Sequence, residues 1–211
     1  MIIVAALIGC AFAFDDACDK KQPPAFCQGL DCPRYKLLCC NATALIDTRA
    51  YQEALWARTE IVGGTIAQAG NTGFHRLFDY ISGANSQGVA IDMTTPVTTQ
   101  VFSSETPVRY IVSFFVPFLY QNATNPPPSP TDPTVYIENL PAANLAVRVF
   151  SGYSNDNEDN QMLQDLKSYL DHEGVQYNDK FYWVDGYNAP FQPVHRHNEV
   201  SLNIVGRNTG C

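Results

Sequence analysis

The side chains able to do chemistry are few and unevenly spread. There are seven cysteines, Cys10, Cys18, Cys27, Cys32, Cys39, Cys40 and Cys211, and four histidines, His75, His172, His195 and His197. Five cysteines crowd between residues 18 and 40, and one is the last residue. Their spacings lack the C-x-x-C pairs that structural zinc sites favour. In an oxidising compartment six of them, Cys18, Cys27, Cys32, Cys39, Cys40 and Cys211, read as three disulfides. Five cannot pair among themselves, so Cys211 is expected to tie the C-terminus to the N-terminal segment. The spacing leaves the connectivity open. His195, His197 and Glu199 alternate along an extended stretch and could converge on a metal. The plainer reading is an exposed loop pair of histidines, with Glu199 a structural hydrogen-bonding carboxylate. His75 lies in a helical pattern, where a surface histidine is the plain reading. His172 follows the apolar stripe of a second helix, where a cation suits the negative helix end. No G-x-S-x-G elbow or Walker loop occurs, and oxidised cysteines offer no thiolate nucleophile. The chain is therefore expected not to be an enzyme.

These residues are positioned by a pattern that runs twice. Residues 46–51 and 53–62 read as strands, and residues 65–83 as a helix with Ile66, Gly70, Gly73, Leu77 and Tyr80 at intervals of three and four. Thr65 can cap its start and Gly83 its end. Gly70 and Gly73 weaken that helix by about 1 kcal/mol each relative to Ala. Residues 88–102 and 108–117 read as two further strands, the first containing Pro96, which implies a bend or bulge. After a Pro-rich loop at 121–133 the order repeats: strands at 134–140 and 144–152, a helix at 154–174 with Met162, Leu166, Tyr169 and Leu170 as its stripe, then strands at 180–190 and 198–205. Met93-Thr94-Thr95-Pro96 and Tyr187-Asn188-Ala189-Pro190 fall at matching positions in the two halves. The implied fold class is α+β: eight antiparallel strands in a distorted barrel, with two helices packed outside.

The chain has 211 residues, 13 of them Lys or Arg against 21 Asp or Glu, for a net charge of −8. That balance repels phosphates, so nucleic acid is not expected as a partner. Residues 2–14 are apolar and end near Ala11-Phe12-Ala13, which reads as a secretory signal over residues 1–13. The expected mature chain then has no transmembrane segment, because the apolar run is shorter than the roughly 20 residues a span requires. Residues 14–34 form a Cys- and Pro-containing arm, and residues 35–211 the folded domain. The triplets at Asn41 and Asn122 are N-glycosylation acceptors for an exported chain. The expected location is extracellular or in the secretory lumen.

"MTTPVTTQV" (93–101), "IDTRAYQEALWART" (46–59), "PPPSPTDPTVYIE" (126–138), "VRVFSGYS" (147–154) and "FYWVDGYNAPFQPVHRHNEVSLNIV" (181–205) occur in this order. Together they resemble the SOUL/haem-binding-protein family over about residues 31–205. The resemblance implies a barrel of two pseudo-symmetric halves. It also implies a non-catalytic protein that binds or carries haem, a related tetrapyrrole or another flat apolar ligand. The implied pocket lies between Asn71, Phe74, His75 and Phe78 on the first helix and the loop from Tyr187 through Phe191 to Val194, with His75 a possible haem ligand. Ala50 stands where one family member has an iron-binding histidine. Asn71 and Asp79 stand where others carry basic residues, leaving Arg76 or Arg196 to pair with propionates. An alternative is an extracellular interaction or structural protein with this fold and no haem. Burial of Phe74 and Phe78 in the core would favour that alternative.

Overall fold

A computed structural model describes residues 18–189, 192 and 195–210. The segment 1–13, Phe191, Val194 and Cys211 lie outside the described residues. Nine strands and two long helices follow one another as β1 (Tyr35–Asn41), β2 (Ile46–Tyr51), β3 (Ala54–Val62), α1 (Ile66–Ile81), β4 (Val97–Phe102), β5 (Arg109–Phe115), β6 (Val135–Leu140), β7 (Ala143–Phe150), α2 (Asp156–His172), β8 (Tyr182–Gly186) and β9 (Asn198–Asn203). All strand pairs are antiparallel, in the order β1-β2-β7-β9-β8-β4-β5-β3-β6. The sheet curls as a half-barrel.

The expected repeat is present. Exchanging β2 with β6, β3 with β7, β4 with β8 and β5 with β9 turns the order of these eight strands into its own reverse. The two-fold therefore passes between β4 and β8, where Thr99 faces Val184. A ninth strand, β1, extends the edge beyond β2. It starts at Tyr35, where regular structure was expected to begin.

Two expectations are corrected. Residues 88–96 are not strand, and β4 begins only at Val97. Pro96 has no N–H for a ladder, and the polar groups before it bond elsewhere: Thr95 N to Asp31 O, and Thr94 Oγ1 to Phe115 O. The Thr95–Pro96 peptide is cis. The two proline motifs also do not correspond. Pro96 precedes β4, whereas Tyr187 to Pro190 follow β8.

Both helices lie on one face of the sheet. Asn155 caps α2, accepting from Asn157 N and Glu158 N. Asp156, Glu158 and Asp159 stand in the first turn of α2, near the positive helix end. Leu163, Leu166 and Leu170 of α2 pack with Ile46, Ala146, Val200 and Leu202. Leu77, Tyr80 and Ile81 of α1 pack with Ala57, Val112, Phe114 and Val135.

The six cysteines read as disulfide-forming begin to pair as expected. Cys18 is bonded to Cys40, Cys27 to Cys32, and Cys39 is likewise disulfide-bonded. The C-terminal tail lies against β2, where Thr48 Oγ1 donates to Thr209 O at 2.8 Å. Among the described residues no helix is long and apolar enough to cross a membrane.

Candidate functional site

The start of α1 is fixed by a capping box: Gln68 N donates to Thr65 Oγ1 and Thr65 N to Gln68 Oε1. Helical periodicity then divides the residues. Ala69, Gly73, Leu77 and Tyr80 face the sheet and are buried. Asn71 and His75 are exposed, Phe74 is half-buried, and Phe78 is 45% exposed. The Phe74 and Phe78 rings stack, with centroids 5.6 Å apart and planes 13° from parallel. Phe74 meets Phe114 edge-on beneath, at 5.4 Å, and the His75 imidazole lies 6.0 Å from the Phe74 ring. The result is an aromatic pair anchored in the core on one side and open on the other, with an exposed imidazole one residue along. Such a surface suits the flat apolar face of a conjugated ring.

The positive charges expected to assist are engaged elsewhere. Arg76 donates to Thr59 Oγ1 and Glu60 O on β3. Arg196 donates to Ala189 O and Gln192 O in its own loop and lies over the Tyr153 ring. Asn71 and the exposed Asp79 flank the aromatic pair without cationic charge.

Tyr187 does not join this group. In β8, Tyr182 and Val184 pack under the helices, whereas Trp183, Asp185 and Tyr187 face the other side of the sheet. Tyr187 is buried against Phe26, Cys27 and Tyr35, and its hydroxyl donates to Glu199 Oε2 at 3.0 Å. Aromatic residues stand on both faces of β8, Tyr182 on one and Trp183 on the other, so alternation of aromatics does not reveal which residues meet α1.

This concave face holds a buried ionic network. Asp47, Arg49 and Tyr51 occupy alternate positions on β2 and so share a face. Arg49 donates to Asp47 Oδ2 from Nε at 3.1 Å and from Nη2 at 2.8 Å. Its Nη1 donates to Glu199 Oε1 at 2.8 Å and to the Tyr51 hydroxyl at 3.1 Å. His197 Nε2 lies 2.6 Å from Glu199 Oε1, and the His197 ring stacks on Phe26 at 4.0 Å. Burial pushes the Glu199 carboxyl up, but Arg49 and His197 outweigh it and hold Glu199 down at about 2. The metal reading of His195, His197 and Glu199 is therefore not supported. His197 is buried on Glu199, while His195 is exposed. Glu199 is the structural carboxylate expected.

Further along the same face, Arg58 donates to Ser113 Oγ and Gln100 Oε1 and pairs with Glu138. Beside it Asp185 is buried, and its Oδ1 has no hydrogen-bond partner. Burial, then repulsion from Glu199, pushes the Asp185 carboxyl up to about 7. The proton is held more tightly in the folded than in the unfolded chain. Stability from this group is thus full below the ordinary aspartate range and is lost as pH rises toward about 7. Replacing Asp185 by Asn removes the ionising group but adds a buried amide. Urea melts should show Asp185→Asn stabilised by about 1 kcal/mol at pH 8 and unchanged or weakened at pH 4.

Arg58, Asp185 and Asp47 were not singled out from sequence. The detectable signal is a charged residue at a strand position whose neighbours two places away are also inward-facing, as with Asp47 and Arg49.

Two topologically matching α+β halves, joined in one antiparallel sheet and each backed by one helix, define the structural class. A family model described as SOUL heme-binding protein matches residues 30–203, and the chain belongs to the SOUL family. Heme-binding protein 2 of Mus musculus and of Homo sapiens are each 33% identical over 159 residues, covering 74% of this chain and 76% of theirs. Heme-binding protein 1 of Xenopus laevis is 30% identical over 157 residues, covering 73% of this chain and 80% of its own. Among solved structures, the EcmrR C-terminal domain aligns with TM-score 0.54 at 9% identity, covering 76% of this chain and 96% of that one. An uncharacterized conserved protein from Listeria innocua aligns with TM-score 0.53 at 11% identity, covering 77% and 93%. These two likenesses concern the fold alone.

Proposed function

We propose that this chain binds haem or a related flat tetrapyrrole on the outer face of α1, and carries it without catalysing a reaction on it. The observation that carries this reading is the stacked Phe74–Phe78 pair, in which Phe78 remains 45% exposed on a helix whose Ala69, Leu77, Tyr80 and Ile81 are buried. The alternative of a fold kept without a pocket is disfavoured by the same exposure. Family membership supports the ligand class, since the relatives bear the name heme-binding protein. The macrocycle would lie against Phe74 and Phe78, with His75 as the imidazole within reach of its centre. Haem iron, when bound, accepts such an imidazole as an axial ligand. An oxidising, extracellular setting is supported by the Cys18–Cys40 and Cys27–Cys32 disulfides. In that setting Asn122, in an exposed turn, and Asn41 are the proposed glycan acceptors.

Titration with haemin, followed by Soret absorption, tests the reading. Saturable binding is expected for the wild type, with loss of about tenfold or more in affinity for Phe78→Asp, whose charge would lie under the apolar ring. His75→Ala should alter the spectrum of the bound form while retaining binding. Because Asn71 and Asp79 supply no positive charge, a porphyrin with esterified propionates should bind at least as tightly as the free diacid. No saturable change with the wild type, or equal binding by Phe78→Asp, would overturn the proposal.

A further inference from the structure

On the concave face, away from α1, a cavity of about 320 Å³ opens between the β2–β3 and β6–β7 hairpins. Trp56, Trp183, Phe181 and Leu140 supply an apolar and aromatic lining. Each is partly buried, and Phe181 meets Trp183 edge-on at 5.7 Å, with the Arg58 guanidinium 6.0 Å from the Trp183 ring. The charged groups at the wall are Arg58, Glu138 and Asp185. Arg58 is fully engaged: Nε on Ser113, Nη1 on Glu138 and Nη2 on Gln100. It therefore has little left for an incoming anion. Asp185, in contrast, is buried with Oδ1 unpartnered, and one guanidinium faces two carboxylates.

We propose that this cavity is a second ligand site, for a small aromatic amine in its protonated form, with the ring between Trp56 and Trp183 and the ammonium group on Asp185. Asp185 lines the cavity, so its carboxylate stands at the wall an ammonium group would meet. Indole faces attract cations as well as flat rings, so the wall favours the same ligand as the carboxylate. Burial and Glu199 hold the Asp185 proton up to about 7, a cost to ionisation that a bound cation offsets.

The test is calorimetric titration of the folded, disulfide-intact chain with three indoles of one shape: tryptamine, the neutral alcohol tryptophol and the anion indole-3-propionate. Tryptamine should bind about tenfold more tightly than tryptophol, and indole-3-propionate more weakly than either. Asp185→Asn should erase the preference for the cation. Trp56→Leu should weaken all three, which keeps the proposal testable if the Asp185 variant folds poorly. Phe78→Asp should leave tryptamine binding unchanged, and haemin should not displace it, so this site stands or falls apart from the α1 face. Absence of saturable binding by any indole at millimolar concentration would overturn the proposal. So would equal affinity for cation and anion, or an undiminished preference in Asp185→Asn.

Discussion

Arg49→Ala is expected to cost about 3–5 kcal/mol of stability, much of what a domain of this size possesses. Arg49 is fully buried, and so are the two carboxylates it serves, Asp47 and Glu199. Removing the guanidinium leaves both carboxylates without their shared cation and deprives the Tyr51 hydroxyl of a donor. It also opens the space beneath Tyr35, whose ring lies 4.6 Å from the guanidinium carbon. The network joins β2 to β9, strands on either side of β7, so its loss reaches beyond one pair. Glu199→Gln alone should cost less, because it removes a charge and keeps an acceptor. Combining Arg49→Ala with Glu199→Gln should be clearly less damaging than the sum of the single changes, since neighbours in one network do not add. Urea denaturation of the four proteins is the measurement. A loss below about 1 kcal/mol for Arg49→Ala would show that the buried network is not what holds these strands.

Gly73→Ala has the opposite sign from what helix propensity suggests. In an exposed helix interior that exchange stabilises by about 1 kcal/mol. Here an added Cβ would come within 2.4 Å of Val112 Cγ2 and 2.5 Å of Val112 Cβ. Gly73 is where α1 presses its backbone onto β5, and Val112 is fully buried. The helix must lift or tilt, so Gly73→Ala should destabilise by about 2–3 kcal/mol or more. Gly70→Ala provides the control: its Cβ would meet nothing within 4 Å, so the ordinary gain from propensity is expected. Val112→Ala added to Gly73→Ala should recover part of the loss. Because α1 carries Phe74 and Phe78, Gly73→Ala should also weaken haemin binding. Destabilisation without any such weakening would mean that the ligand does not use this face.

The contrast between these two glycines shows where sequence reasoning stops. Both glycines interrupt the same helical stripe, and propensity assigns them the same penalty. Only the packing of α1 on β5 separates a contact position from an open one. The order of strands and helices was legible because each segment carries its own period and its own ends. Thr65 forms the expected cap, for example, and Leu166 and Leu170 lie in the expected stripe of α2. Leu163 escaped because Met162, beside it, fits the same stripe; the structure buries Leu163 and leaves Met162 only partly covered.

Positions on the concave face were less legible for a different reason. When both faces of a strand are covered, period-two alternation no longer marks the inside. Tyr187 was placed beside α1 by the family resemblance, and alternation could not correct it; it faces Glu199 on the far side. Residues 88–96 read as strand from their β-branched and apolar content. Their hydrogen bonds go instead to the end of α1 and Asn85, through Gly88, Val89 and Ile91, and to the N-terminal arm and β5, through Thr95 and Thr94. Of the candidate pocket, the α1 residues came from the family resemblance, and helical spacing puts them on one face. The exposure of its aromatic pair follows only from how closely the neighbouring strands approach.

The central claim, that a flat tetrapyrrole lies on the outer face of α1, is tested most directly by amide hydrogen exchange with and without haemin. Slowed exchange is predicted in residues 71–78, with little change in β2, β3 and β7 around the concave cavity. Protection confined to those concave-face strands, or no haemin-dependent protection at all, would contradict the account.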